Sequence, residues 1–370
     1  MVPLRSRCTL SLFTAFSSLG RPMMGQRAIR RRAVVTDASA SQCTSTTPTR
    51  QLIVDCDFGY DDILSLLLLD RHSKYNLRLI STVSGVSLAS TGAAYARAIF
   101  GSSVEVAAGQ DVDAHADHSS HHWLPSYRNR LNRYMVSKHG VWAGVQGGHS
   151  ESMHGKCTAT ALRDVLESSV ERECDLICLG PLTNVASWLE DPSLAQLMCD
   201  KIENVWVLGG TEGSGPDAGE FNFQLDSKAV RSIIQTHHLQ GKLRIVTSDV
   251  SGPDALKFGA RFEETIGKMA REGALDDKIS DLLRNEPKAI YFDPICAFAS
   301  IHSGQLRYKR AHIRSVEANG NISLHPDEEQ GEEHENIPIG SKGYMPSVEF
   351  LEHLEDAHRD LFVRWISESD

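Results

Sequence analysis

Nothing in this sequence approaches the roughly 18–20 uninterrupted apolar residues of a membrane-spanning helix, so no membrane partner is expected. Its eight cysteines, at positions 8, 43, 56, 157, 174, 178, 199 and 296, include no CxxC pair. Zinc-finger spacing is therefore absent, and the chain is much longer than a disulfide scaffold. Cys174 and Cys178, in ECDLICLG, read instead as small buried hydrophobes in a reducing compartment. Positive charge is scarce too. A net charge of −10 excludes the broad basic surface that grips a phosphate backbone, and with it a nucleic-acid partner. What is present is ordinary for a soluble protein: 41% hydrophobic and 23% charged residues in 370, enough for a sizeable core.

Charge is unevenly spread. Residues 1–50 have no lysine and one acid, Asp37, against eight arginines and fourteen Ser or Thr. That stretch carries +7, and the remainder −17. An Arg-rich, Ser-rich, acid-poor start, with Arg30, Arg31 and Arg32 clustered, has the composition of an organellar transit peptide. Residues 1–49 are expected to be disordered and to direct the chain to a mitochondrion or plastid. The alternative is a tail without an address on a cytoplasmic protein.

From 50 to 370 a single α/β domain is expected. Gln51–Cys56, Leu77–Val83, Val104–Ala108, Asp175–Leu179, Val205–Leu208 and Leu243–Thr247 read as strands. Helical periodicity fills Tyr60–Asp70, Ala89–Phe100, 184–190 and 226–236. Such alternation builds an open, mostly parallel, Rossmann-like sheet with helices on both faces. Ligands bind such sheets beyond the carboxyl ends of the strands.

The strongest chemical signal lies there. Asp55-Cys56-Asp57-Phe58-Gly59-Tyr60-Asp61-Asp62 puts four carboxylates into eight residues, between a buried strand and a helix. The helix dipole favours Asp61 and Asp62 by about 0.3–1 kcal/mol each, too little to offset four crowded charges. Helix capping would account for one or two of the four. A hard cation resolves the crowding, and oxygen-only ligands select Ca2+ or Mg2+ over zinc. Cys56, between two aspartates, is a poor nucleophile.

With three later segments, this signature resembles the inosine-uridine-preferring nucleoside hydrolase family. Ile53-Val54 and the Asp-rich run match the family's opening DxDxGxDD, with Phe58 where proline is usual. Leu179-Gly180-Pro181-Leu182-Thr183-Asn184 resembles its LGPLTN turn. Val207-Leu208-Gly209-Gly210, then Gly219-Glu220-Phe221-Asn222 and Asp226, resembles its GG…EFN…D stretch, and Asp293-Pro294 its late DP motif. The resemblance spans roughly residues 51–300 and continues more weakly to about 362.

It implies that Asp57, Asp62, Asp293 and the backbone carbonyl of Leu179 hold Ca2+. Asp57 would also be the general base for the attacking water. Asp61, Glu220 and Asn222 would bind ribose hydroxyls, and Asp55 would orient the loop from behind. The reaction implied is hydrolysis of the N-glycosidic bond of a small ribonucleoside, serving purine or pyrimidine salvage. The family is also homo-oligomeric, as dimers or tetramers.

Besides Phe58, three positions depart from the pattern: Phe292 stands where the purine-cleaving type often has a histidine acid, Val86 where an asparagine is usual, and Ser214 near another expected asparagine. The ribose and metal half of the site is retained; the base half is rebuilt. Tyr291, or a histidine from 115–154, is the candidate replacement acid. That segment holds His115, His118, His121, His122, His139, His149 and His154. It reads either as a transition-metal site or as a polar loop over the active site, with His139-Gly140 resembling the family's lid element. The acidic run Asp327–Glu335 reads as a solvated loop. Gly209, Gly210, Gly213 and Gly215 make no phosphate loop, and Trp206 reads as core.

Two rival readings are a haloacid dehalogenase-type phosphatase with Asp55 as nucleophile, and a catalytically impaired, nucleoside-hydrolase-like protein that binds a ribosyl ligand.

Overall fold

The computed structural model describes residues 49–109, 121–141, 156–212, 219–253, 260–326 and 347–368. Thr47–Asp370 gathers into one unit. The expected transit peptide, the Ser214 position and the 327–335 acidic run lie outside the described residues.

The chain runs β1 (Arg50–Cys56), α1 (Tyr60–Asp70), β2 (Tyr75–Thr82), α2 (Ala89–Phe100), β3 (Glu105–Ala108), α3 (Leu124–His139) and α4 (Thr158–Glu167). It continues through β4 (Cys174–Cys178), α5 (Thr183–Glu190), α6 (Pro192–Lys201), β5 (Ile202–Leu208), α7 (Phe221–Leu225), α8 (Ser227–Gln235) and β6 (Leu243–Val246). Then come α9 (Ser248–Ser251), α10 (Ala260–Glu272), α11 (Asp277–Asn285), α12 (Asp293–Ile301), β7 (Tyr308–Val316), β8 (Ile322–Pro326), β9 (Ser347–Leu351) and α13 (Asp356–Ser367).

The strands form one nine-stranded sheet in the order β3-β2-β1-β4-β5-β6-β9-β7-β8. Its first seven strands pair in parallel, and β7 is antiparallel to both β9 and β8. β1 shows why it lies in the middle. Leu52 and Val54 join one apolar layer with Leu66, Phe298 and Phe362, whereas Ile53 joins the other with Trp188, Leu194 and Ile233. Alternate side chains leave a strand on opposite faces, so a strand apolar on both sides must be covered on both.

The order 3-2-1-4-5-6 reverses direction at β1, whose two neighbours are β2 and β4. A crevice opens at such a switch point beyond the carboxyl ends of the strands. Asp57 follows β1 directly, and Leu179 follows β4. Topology alone therefore brings the first signature and the LGPLTN turn to one place.

One expectation is corrected here. The 115–154 segment, read as a loop, contains the sixteen-residue helix α3. Its buried side chains are only Leu124, Leu131, Tyr134 and Met135, a narrow stripe in polar sequence. Pro125, which reads as a breaker, is tolerated in a first turn, whose N–H groups have no intrahelical partner.

Candidate active site

Asp57, Asp62 and Asp293 are all buried, and the structure brings them together. The carboxyls of Asp57 and Asp62 meet within hydrogen-bonding reach, as do those of Asp62 and Asp293. The tightest group substitutes Asp61 for Asp57: oxygens of Asp61, Asp62 and Asp293 lie within 4.8 Å of one another. Asp61 and Asp62 sit in the first turn of α1, and Asp293 opens α12, so two helix N-termini face the cluster. Asp62 Oδ2 accepts the Gly59 N–H at 2.6 Å, but among the described residues no N–H or hydroxyl donor reaches its buried Oδ1.

The electrostatics follow from burial and crowding. Burial, then the charges of Asp293, Asp57 and Asp61, holds Asp62 well above the ordinary carboxylate range. Asp293 is raised for the same reasons. Asp61 is pushed up to about 7, by burial and by Asp57. Burial also raises Asp57, against the Val86 N–H and the charge of Arg128. Oxygen-only donors, like charge in a low-dielectric site and an unsatisfied Asp62 oxygen together fit a hard divalent cation.

The other expected residues take definite places. Asp55 is wholly enclosed; Asn184 Nδ2 donates to its Oδ1 at 2.8 Å, and burial pushes its pKa up to about 7. A carboxylate so enclosed cannot attack a phosphate ester, which removes the phosphatase reading. Glu220 caps α7. It accepts N–H bonds from Gly210 at 2.9 Å, Asn222 at 3.0 Å and Phe223 at 2.8 Å. Asn222 Nδ2 donates to the Leu179 carbonyl at 2.9 Å, joining an expected ribose contact to an expected metal ligand.

His139 is not brought to this group. It is the last residue of α3, ring against Tyr134, and is followed by Gly140 as a left-handed cap at φ +67°. That places His139 at a regular helix end. Residues 142–155 lie outside the described residues. Tyr291 is also committed elsewhere: its hydroxyl donates to Glu263 at 2.7 Å, and burial and that carboxylate raise its pKa, weakening it as an acid.

α3 contributes two residues that no motif announced. Tyr127 Oη accepts the Tyr60 N–H at 2.8 Å, at the start of α1. Arg128 donates to the carbonyls of Val86 at 2.6 Å and Gly85 at 2.7 Å. Near them, His121, Trp123 and Phe221 pack ring against ring, with centroids 5.0–6.1 Å apart. Phe221 separates Glu220 from Asn222, so these rings stand beside the expected ribose contacts.

The sequence matches the inosine-uridine preferring nucleoside hydrolase family over residues 52–345. The chain belongs to this family. An uncharacterised protein of Schizosaccharomyces pombe is 31% identical over 206 residues, 54% of this chain and 57% of that protein. The pyrimidine-specific ribonucleoside hydrolase RihB of Escherichia coli is 25% identical over 190 residues, 50% of this chain and 56% of that one. The chain thus spans a little over half the length of the curated relatives it matches. Among solved structures, a plant nucleoside hydrolase superposes with a TM-score of 0.62 at 14% identity, covering 86% of this chain and 99% of that one. An inosine-uridine preferring nucleoside hydrolase from Bacillus anthracis gives 0.59 at 16%, covering 86% and 99%. At such identities the likeness is one of fold.

Against the family pattern, the structure gives Phe58 and Phe292 a shared peculiarity. Both adopt positive φ, +59° and +61°, and each adjoins a site aspartate, Asp57 or Asp293. Proline, usual in the family at the first position, is locked near φ −65° and cannot take the Phe58 conformation.

Proposed function

We propose that this protein hydrolyses the N-glycosidic bond of ribonucleosides, releasing ribose and a nucleobase. The observation that carries the reading is the convergence of Asp57, Asp62 and Asp293 at the β1–β4 switch point, around a buried Asp62 oxygen that no N–H or hydroxyl donor satisfies among the described residues.

Asp57, Asp62, Asp293 and the Leu179 carbonyl are the residues that would hold Ca2+, with Asp61 close enough to join them. When bound, the cation orients water and lowers its pKa. Asp57 takes the proton of the attacking water, its Oδ2 held by the Val86 N–H at 2.7 Å. Asp61, Glu220 and Asn222 bind ribose hydroxyls and orient the ring, which develops oxocarbenium character as the bond breaks. Asp55, braced by Asn184, fixes the end of β1 behind them.

At position 292 a phenyl ring cannot donate a proton to the leaving base. Substrates whose leaving group departs unaided should therefore be cleaved best. The same residue favours the second reading, a ribosyl-binding protein with impaired turnover. Reducing-sugar release from inosine, uridine and p-nitrophenyl riboside, with and without EDTA, separates the two. Cleavage that EDTA abolishes supports the hydrolase. Riboside binding without release supports the alternative. Asp57→Asn should remove turnover by several orders of magnitude, about 10³-fold or more, with the circular dichroism spectrum unchanged. Near-native turnover in that variant would defeat the assignment of the base.

Organellar import and homo-oligomerisation are part of the proposal. A fluorescent fusion to residues 1–49 and light scattering of the purified chain test them.

A further inference from the structure

We infer that Arg128 is a positioning residue for Asp57: its guanidinium fork fixes the Gly85–Ser87 turn that holds the Asp57 carboxylate. The inference rests on the proposed hydrolase reading and adds to it a residue that no sequence motif marks.

The turn is bound to Asp57 twice. Val86 N–H donates to Asp57 Oδ2 at 2.7 Å, and Ser87 N–H donates to the Asp57 carbonyl at 3.0 Å. A Cβ on Gly85 would lie 2.1 Å from Asp57 Oδ2, so turn and carboxylate are pressed into contact. Inside the turn a single bond is described, Gly85 N–H to Ser87 carbonyl at 2.9 Å. Ser87 Oγ donates to the Phe58 carbonyl at 3.2 Å, and Arg128 holds the carbonyls of Gly85 and Val86. Nε donates to the Val86 carbonyl at 2.6 Å and Nη2 to the Gly85 carbonyl at 2.7 Å. Two neighbouring N–H groups of a rigid, planar fork thereby fix two successive carbonyls, and so the direction of the peptide N–H between them. The positive charge also favours the ionised form of Asp57.

Position 86 carries valine and has no side-chain donor, so only the main-chain N–H can reach Asp57. Main-chain direction is what Arg128 controls. The residue before it, Tyr127, accepts the Tyr60 N–H, so one turn of α3 steadies both the Asp57 turn and the start of α1.

Full-length, Ca2+-loaded protein tests this with Arg128→Met and Arg128→Lys. Using p-nitrophenyl riboside, Arg128→Met should lower kcat roughly 10- to 100-fold with KM little changed, the signature of a misplaced base. Arg128→Lys keeps the charge but not the fork and should recover part of that loss. In 15N-valine-labelled protein, the Val86 amide should exchange slowly with D2O in the native chain and fast in Arg128→Met. Unchanged kcat in Arg128→Met overturns the inference, as does a fall in kcat with Val86 exchange unaltered. Should Arg128→Met fail to fold, Arg128→Lys decides by the same two readouts. If the native protein cleaves no riboside, the hydrolase reading falls, and Val86 exchange alone decides the clamp.

Discussion

Gly85 and Phe58 carry sharp single-residue constraints. Gly85→Ala places a methyl 2.1 Å from Asp57 Oδ2 and 2.7 Å from its Cβ, so either the turn or the carboxylate must move. The expected outcome is loss of riboside cleavage comparable to that of Asp57→Asn. Stability should fall by about 1–3 kcal/mol, the usual result of overpacking, measured by urea unfolding. Phe58→Pro would bring the chain nearer the family's usual signature, yet φ +59° excludes it. That variant should be destabilised by more than about 1 kcal/mol, visible as a lowered thermal midpoint. The aspartates and the EFN residues were legible because each is a side chain in a dense or matched motif. Arg128 and Tyr127 were not. They act on main-chain groups of Gly85, Val86 and Tyr60, and spacing along a sequence does not reveal backbone acceptors and donors from another element.

At the level of elements, the six parallel strands from β1 to β6 and helices α1, α2, α5 and α8 could be read directly. They are apolar runs of strand length alternating with periodic segments. β7 escaped because it mixes exposed, charged positions with apolar ones, as in YKRAHIRSV, and β8 and β9 because they are only five residues each. α3 escaped because its apolar stripe is thin and a proline opens it. Helix α5 is anchored by one large side chain. Trp188 of α5 is fully buried, and its Nε1 donates to Thr158 Oγ1 of α4 at 3.1 Å. Trp188→Ala should cost about 3–5 kcal/mol in denaturant unfolding, through the lost ring and the cavity it leaves. A cost under about 1 kcal/mol would mean that this face repacks freely.

Over the whole molecule, the clustered carboxylates link stability to pH and to cations. Asp55 and Asp61 titrate near 7 in the fold, against an ordinary 3.8. Groups raised in this way lend stability that is complete below about pH 4 and disappears as pH climbs through 7. Metal-free protein should therefore melt at a lower temperature at pH 8 than at pH 5. Adding Ca2+ at pH 8 should reverse this, by about 2.7 kcal/mol at one hundred times its Kd. A midpoint indifferent to both EDTA and pH would contradict the site's electrostatics. The charge asymmetry of the chain gave warning of acid in the body of the protein; only the topology showed where it gathers.

The central seat of β1 has a consequence for how this protein wears out. Bonded to β2 and β4 along both edges and roofed on both faces, β1 has backbone amides that can meet solvent only when the entire sheet comes apart. The carboxylate-bearing turn hangs from its end. Frayed termini or loosened margins leave that anchorage standing, so on warming, the chemistry should survive partial opening and vanish in step with the last cooperative collapse.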